Sequence, residues 1–302
     1  MAAQQDPTWA GRIIAGVDAS SSAHEAARWA AEEALMRGRG LTLMTALLPP
    51  TTIGGLGVPP AVDFLDALHS EALAQLTALA ADLPGEDIEV SVEIASPGGL
   101  LVEASKSAHM VVLGSRGTGG FAGLVLGSVG SQVAAAAQCP VVVRRGAPRS
   151  DARHVVVGID GSTNSEVALG AAFEFASFHA LELTVVHAWD IQAYDLIEFP
   201  EGAIALPISQ AAEDEVRLTA EVLAGFRDQY PDVVVHEHLV RGPAAKVLTD
   251  QSANAALLVV GTRGRGQFMS AVLGSVSNAV LHKVDLPVLV VPLPPTEGNE
   301  TP

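Results

Sequence analysis

"RIIAGVDASSSAHEAARWAAEEALMRGRGLTLMTALL", Arg12 to Leu48, holds a strand, a helix and a second strand in one span. "IIAGVD" is a short apolar run that opens on β-branched residues, the pattern of a strand buried on both faces. The alanine-rich stretch over 20–38 places Ala27, Ala30, Ala31 and Ala34 on one helical face. It opens on serines that can cap it and closes at Gly38. "LTLMTALL" reads as the next strand. A helix joining two buried strands implies a parallel pair with a right-handed crossover, in a sheet covered on both faces.

The alternation continues through the first half of the chain. "FLDALHSEALAQLTALAADL" is a second helix, "IEVSVEIA" an alternating third strand and "GGLLVEASKS" a third helix. "HMVVLG", "SVGSQVAAAA" and "PVVVRR" add a strand, a helix and a fifth strand. The order then repeats. "RIIAGVDAS" (Arg12 to Ser20) matches "HVVVGIDGS" (His154 to Ser162), "LTLMTALLP" matches "LTVVHAWD" at Leu183, and "CPVVV" at Cys139 matches "LPVLV" at Leu286. The expected architecture is α/β: two tandem, open, doubly wound parallel sheets, each in a duplicated unit of about 140 residues. The expected boundaries are 1–146 with a loose tail at 1–11, a linker at 147–152 inside the polar run "RRGAPRSDAR", a second domain at 153–293 and a flexible tail at 294–302.

A glycine ribbon follows each fourth strand. "VVLGSRGTGGFAGLVLGSVGS" (Val111 to Ser131) and "VVGTRGRGQFMSAVLGSVSN" (Val259 to Asn278) share Gly-x-x-Gly, nine residues and then Gly-Ser. Backbone amides can hold a phosphate only where the chain comes close and turns, and side chains at Gly114 and Gly117 would block that. Gly127 and Ser128 open the next helix, whose unpaired amides and positive dipole end favour an anion. Gly261, Gly264, Gly274 and Ser275 stand in the same places in the second half. The loop is not a Walker A sequence, and no Gly-x-Gly-x-x-Gly follows either first strand. Asp18 and Asp160, at the ends of the first strands, could bind ribose hydroxyls or an adenine amine; a capping or turn aspartate is the other reading. Arg116 and Arg263 could neutralise phosphate charge, or be solvated loop arginines.

Together the aspartate, the ribbon and the closing Pro-Val strand resemble the universal stress protein family in its tandem-domain form, over nearly the whole chain. The resemblance implies an adenine nucleotide alpha hydrolase-like sheet in the order 3-2-1-4-5 that binds ATP, with Mg2+ as a candidate companion. It implies a nucleoside beside Gly16, Asp18 and Ala46, and phosphates at Leu113, Gly114, Gly117, Gly127, Ser128 and Val129. The second set is Gly158, Asp160 and Ala188, then Val260, Gly261, Gly264, Gly274, Ser275, Val276 and Ser277. Two nucleotides per chain are therefore expected. The last strands would pair the two units as an intrachain pseudo-dimer, with a homodimer of chains as a further step. Many relatives carry an acidic residue before the fourth strand, where this chain has His109 and Ala256.

The implied function is a cytoplasmic, nucleotide-dependent regulator of stress response or growth, with an unknown protein partner. A slow ATP-hydrolysing enzyme and an interaction module without ligand are the alternatives; no catalytic residue stands out. A net charge of −17 over 302 residues argues against a broad nucleic-acid surface. The apolar runs are too short to span a membrane, and the opening residues lack a signal-peptide plan. One cysteine, Cys139, fits a reducing compartment. His187 reads as a core histidine, and His236 and His238 as one exposed strand face, in preference to metal ligands. The proline- and glycine-bearing segments after the second strands, "PPTTIGGLGVPPAVD" and "DIQAYDLIEFPEGAIALP", could be flaps over the nucleotide or simple chain routing.

Overall fold

A computed structural model describes residues 7–48, 62–117, 126–146, 152–189, 220, 222–264 and 273–293. Residues 1–6 of the expected tail at 1–11, residues 147–151 of the expected linker at 147–152, the tail at 294–302, the middles of both ribbons and the two candidate flaps lie outside the described residues, apart from Val62 and Asp63, where a helix starts. The chain divides into two compact units, one with the described residues up to Gly146 and one with those from 152 to Leu293.

Unit 1 runs β1 (Ile13–Gly16), α1 (Ser21–Met36), β2 (Leu41–Leu47), α2 (Val62–Ala81), β3 (Ile88–Ile94), α3 (Pro97–Ala104), β4 (Met110–Gly114), α4 (Ser128–Ala136) and β5 (Val141–Arg144). The strands are parallel in the order β3-β2-β1-β4-β5. β1 is central, and Ile13 faces Leu41 on one side and Met110 on the other. Burial follows position in the sheet. Ile13, Ile14 and Ala15 are fully covered, whereas the edge strand β3 alternates toward solvent. The alanine face of α1 is buried against the sheet, which lets backbone and sheet approach closely. Ser20 caps this helix by accepting from the Ala23 amide. The helix ends through Gly38, at φ 61°, with the Arg39 amide donating to Ala34 O.

Unit 2 repeats the plan with β6 (His154–Ile159), α5 (Thr163–Phe178), β7 (Glu182–Trp189), a helical segment α6 at 222–229, β8 (Val235–Arg241), α7 (Ala244–Gln251), β9 (Leu257–Gly261), α8 (Ser275–Lys283) and β10 (Val288–Val291). The parallel order is β8-β7-β6-β9-β10. Its core differs in chemistry. Phe173 is fully buried on α5 and stacks on Phe226 and Tyr230 at 5.4 and 5.6 Å between ring centroids.

Both first strands stop short of their aspartates. β1 ends at Gly16 and β6 at Ile159, so Asp18 and Asp160 lie in the turns that lead into α1 and α5.

Candidate functional site

β1 pairs with β2 on one side and β4 on the other. The connections leaving β1 and β4 therefore diverge and open a crevice at the carboxyl end of the sheet. A cavity of ≈ 580 Å³ fills that place in unit 1. Gly16 and Asp18 reach it from the end of β1 and Ala46 from β2. Leu113, Gly114, Arg116 and Gly117 come from β4 and its loop, and Gly127, Ser128 and Val129 from the start of α4. All ten residues singled out in the first half of the sequence line this one cavity. The two ends of the ribbon are joined, because the Gly127 amide donates to Ser115 O at 3.0 Å. α4 opens on Gly127 without a side-chain cap, so its first amides have neither a capping oxygen nor an intrahelical acceptor.

The glycines of the ribbon answer to different neighbours. A Cβ on Gly114 would lie 2.6 Å from Ser22 Oγ and 2.8 Å from the Ala23 nitrogen, so this glycine lets β4 pass the start of α1. A Cβ on Gly117 would meet Asp18 Oδ2 at 2.5 Å. A Cβ on Gly127 would meet nothing nearer than 3.8 Å, and its φ of −72° suits any residue. Among the described residues, neither backbone strain nor a neighbour demands glycine there, and the position lines the cavity. Asp18 holds the capping turn and also faces the cavity. Its Oδ1 accepts from the Ser20 amide at 3.0 Å and the Ser20 hydroxyl at 2.5 Å, fixing the capping turn, and the residue also lines the cavity.

Unit 2 builds the same turn, with Asp160 Oδ1 accepting from the Ser162 amide and hydroxyl at 3.0 and 2.6 Å. Gly158 ends the inner part of β6, Ala188 lies in β7, and Val260 and Gly261 close β9. A Cβ on Gly264 would run into Asp160 Oδ2, as at Gly117. Gly274 donates to Thr262 O at 2.7 Å and leads into α8, where Ser275, Val276 and Ser277 form the first turn. The Ser277 hydroxyl is buried and donates to Gly261 O at 2.5 Å, so its proton is committed to the strand end. Arg116 and Arg263 are exposed, each beside its second ribbon glycine.

Sequence reading missed the apolar wall of the cavity. Met44 of β2 and Pro97, Leu100 and Leu101 of α3 form it. The usable signal was the run "PGGLLVEA" directly after an edge strand, which puts a helix over the same end of the sheet. Gly16 belongs to this wall, since a Cβ there would lie 2.5 Å from Leu113 and 3.0 Å from Leu101. The histidines fall elsewhere. His187 is buried in β7, His236 pairs with Glu182 at 2.8 Å, and His238 pairs with Gln251 at 2.8 Å. Cys139 is buried, and that burial pushes its thiol up to about 12.

The profile of the universal stress protein family matches residues 10–145 and again 152–292. A universal stress protein of Mycolicibacterium smegmatis is 36% identical over 292 residues, covering 92% of this chain and 96% of that protein. Universal stress protein Rv2005c of Mycobacterium tuberculosis is 38% identical over 293 residues, with the same coverage of 92% and 96%. Among solved structures, a universal stress protein from Archaeoglobus fulgidus superposes with a TM-score of 0.67 at 20% identity, over 93% of this chain and 98% of that one. It supports the fold. The chain belongs to the universal stress protein family, with the family's domain present twice in tandem.

Proposed function

We propose that each unit binds an adenine nucleotide, ATP, in the crevice at the carboxyl end of its sheet, and that the protein is a nucleotide-dependent regulator of stress response or growth. The observation that carries this reading is the convergence on one cavity. A turn aspartate, a glycine ribbon and an uncapped helix start, far apart in sequence, line the same ≈ 580 Å³, a volume suited to a small-molecule ligand. The parts divide by chemistry. Met44, Leu100 and Leu101 offer an apolar face for a purine. Asp18 offers a carboxylate to ribose hydroxyls. The amides around Gly117 and at the start of α4 suit phosphate oxygens, and Arg116 adds a cation beside them. Mg2+, if carried with the phosphates, would supply further charge neutralisation.

No helix among the described residues is long and apolar enough to cross a membrane. We place the protein in the cytoplasm, the compartment that suits a chain whose one cysteine is a buried free thiol.

Isothermal titration with ATP tests the reading. Gly127→Ala puts a methyl group where only the cavity has room. It should weaken binding in unit 1 by about ten- to a hundredfold, corresponding to the roughly 1–3 kcal/mol of an intruding methyl. Unchanged affinity at that site, with the fold intact, would count against the assignment.

A further inference from the structure

The two ribbons share the motif glycines, Gly114, Gly117 and Gly127 in one and Gly261, Gly264 and Gly274 in the other, but are held differently at their roots. In unit 2, Asn164 occupies the second position of α5, is buried, and donates from Nδ2 to Thr262 Oγ1 at 3.1 Å and to Arg263 O at 2.9 Å. The Ser277 hydroxyl adds its bond to Gly261 O from the first turn of α8. Three side-chain hydrogen bonds thus tie the segment from Gly261 to Arg263 to both flanking helices. The corresponding residues of unit 1 are Ser22 and Gly130. Gly130 has no side chain to reach the strand end and instead lines the cavity. Among the described residues, unit 1 has in their place only a contact of the Ser20 hydroxyl with Arg116 O at 3.1 Å, and that hydroxyl shares its one proton with the nearer Asp18 Oδ1. The strand-end glycine follows suit, Gly261 being buried and Gly114 only partly so.

Building on the reading of both crevices as adenine-nucleotide sites, we propose that the sites are unequal: unit 2 retains its nucleotide and unit 1 exchanges it, with Asn164 and Ser277 as the positioning residues that make the difference. A ribbon already held in place gives up little conformational freedom when phosphate binds, so the complex is tighter. Differences of this kind between related sites fall mainly on the rate of release. The segment 115–117 of unit 1, held by fewer bonds among the described residues, gives up more freedom at each binding event, and its nucleotide leaves sooner. One chain thereby combines a steady occupant with a site that follows nucleotide concentration.

Two measurements on the full chain separate this inference from the reading beneath it. Hydrogen exchange without nucleotide should show the amides over 262–264 exchanging at least about tenfold more slowly than those over 115–117. The double variant Asn164→Ser with Ser277→Gly, which installs the residues of unit 1, should bring the two to parity. Stopped-flow release of a fluorescent N-methylanthraniloyl ATP should show two phases about tenfold or more apart. The double variant should accelerate the slow phase alone. Equal exchange at the two ribbons, or a slow phase untouched by the double variant, would overturn the inequality. Protected unit 2 amides with no nucleotide bound at either site would overturn retention together with the nucleotide reading, and the exchange data would show that the ties themselves exist.

Discussion

A methyl group at Gly114 would come within 2.6 Å of Ser22 Oγ, and one at Gly127 would meet nothing nearer than 3.8 Å. The two glycines belong to one motif, yet among the described residues only the first is crowded by the fold, while the second lines the cavity. Gly114→Ala is expected to destabilise unit 1 by about 1–3 kcal/mol, as overpacking does, in chemical denaturation. Gly127→Ala should stay within about 1 kcal/mol of the parent, because a less favourable capping residue is offset by a stiffer unfolded chain. If both variants proved equally unstable, this division of roles would be wrong. Sequence could show that a glycine recurs at each position but not why, since the atoms that crowd Gly114 and Gly117 belong to Ser22, Ala23 and Asp18, some ninety residues earlier. Cys139 shows what burial alone does to a side chain's chemistry. Its buried thiol, pushed up to about 12, should react with iodoacetamide at pH 8 at least about a hundredfold more slowly in the native protein than in urea. Comparable rates would mean that the residue is open to solvent.

Helices α1 and α5 end in the same turn, with Arg39 donating to Ala34 O in one and Leu181 to Ala176 O in the other, both at 2.9 Å. Unit 1 places Gly38 at the left-handed position, with φ 61°, whereas unit 2 places Ala180 there, with φ 50°. An alanine in that region costs about 1 kcal/mol. Ala180→Gly should therefore stabilise unit 2 by up to about that amount, and a fall in its denaturation midpoint would refute the argument. Phe173 tests the packing of α5 on α6. Truncation to alanine removes a fully buried ring with two stacked partners and should cost about 3–5 kcal/mol in the same assay. Strands and helices were legible because this fold buries its central strands on both faces, so that runs such as Ile13–Gly16 stand out from the alanine-rich helices. The apolar wall from α3 was not. Its leucines read as an ordinary core face until the sheet brings them over Gly16. The same limit hid Asn164, whose partners lie 98 and 99 residues away.

Across the molecule, duplication has kept the plan and changed the chemistry that closes the amino ends of the strands. In unit 1, Arg12 bonds Leu41 O and Thr42 Oγ1 and pairs with Asp87 at 2.8 Å. In unit 2 the equivalent residue is His154, beside Glu182, His236 and His238. Burial holds the His154 pKa below its ordinary 6.5; Glu182 opposes this, and the two histidines reinforce it. A histidine that takes its proton less readily when folded lends stability above 6.5, and loses it as the pH falls from there through the lowered value. The urea midpoint of unit 2 should thus drop as the pH falls below 6.5, and His154→Gln should flatten that drop. An unchanged slope would remove His154 as its source. The central claim, however, concerns the carboxyl ends of the sheets, and the most direct measurement is to identify and count what the protein holds. The chain is purified without added nucleotide, denatured, and the released small molecules are separated and weighed by mass spectrometry. The account predicts adenine nucleotide approaching one per crevice, with the first crevice filled on adding ATP back if it is lost in purification. No nucleotide released and none taken up on adding ATP would contradict it.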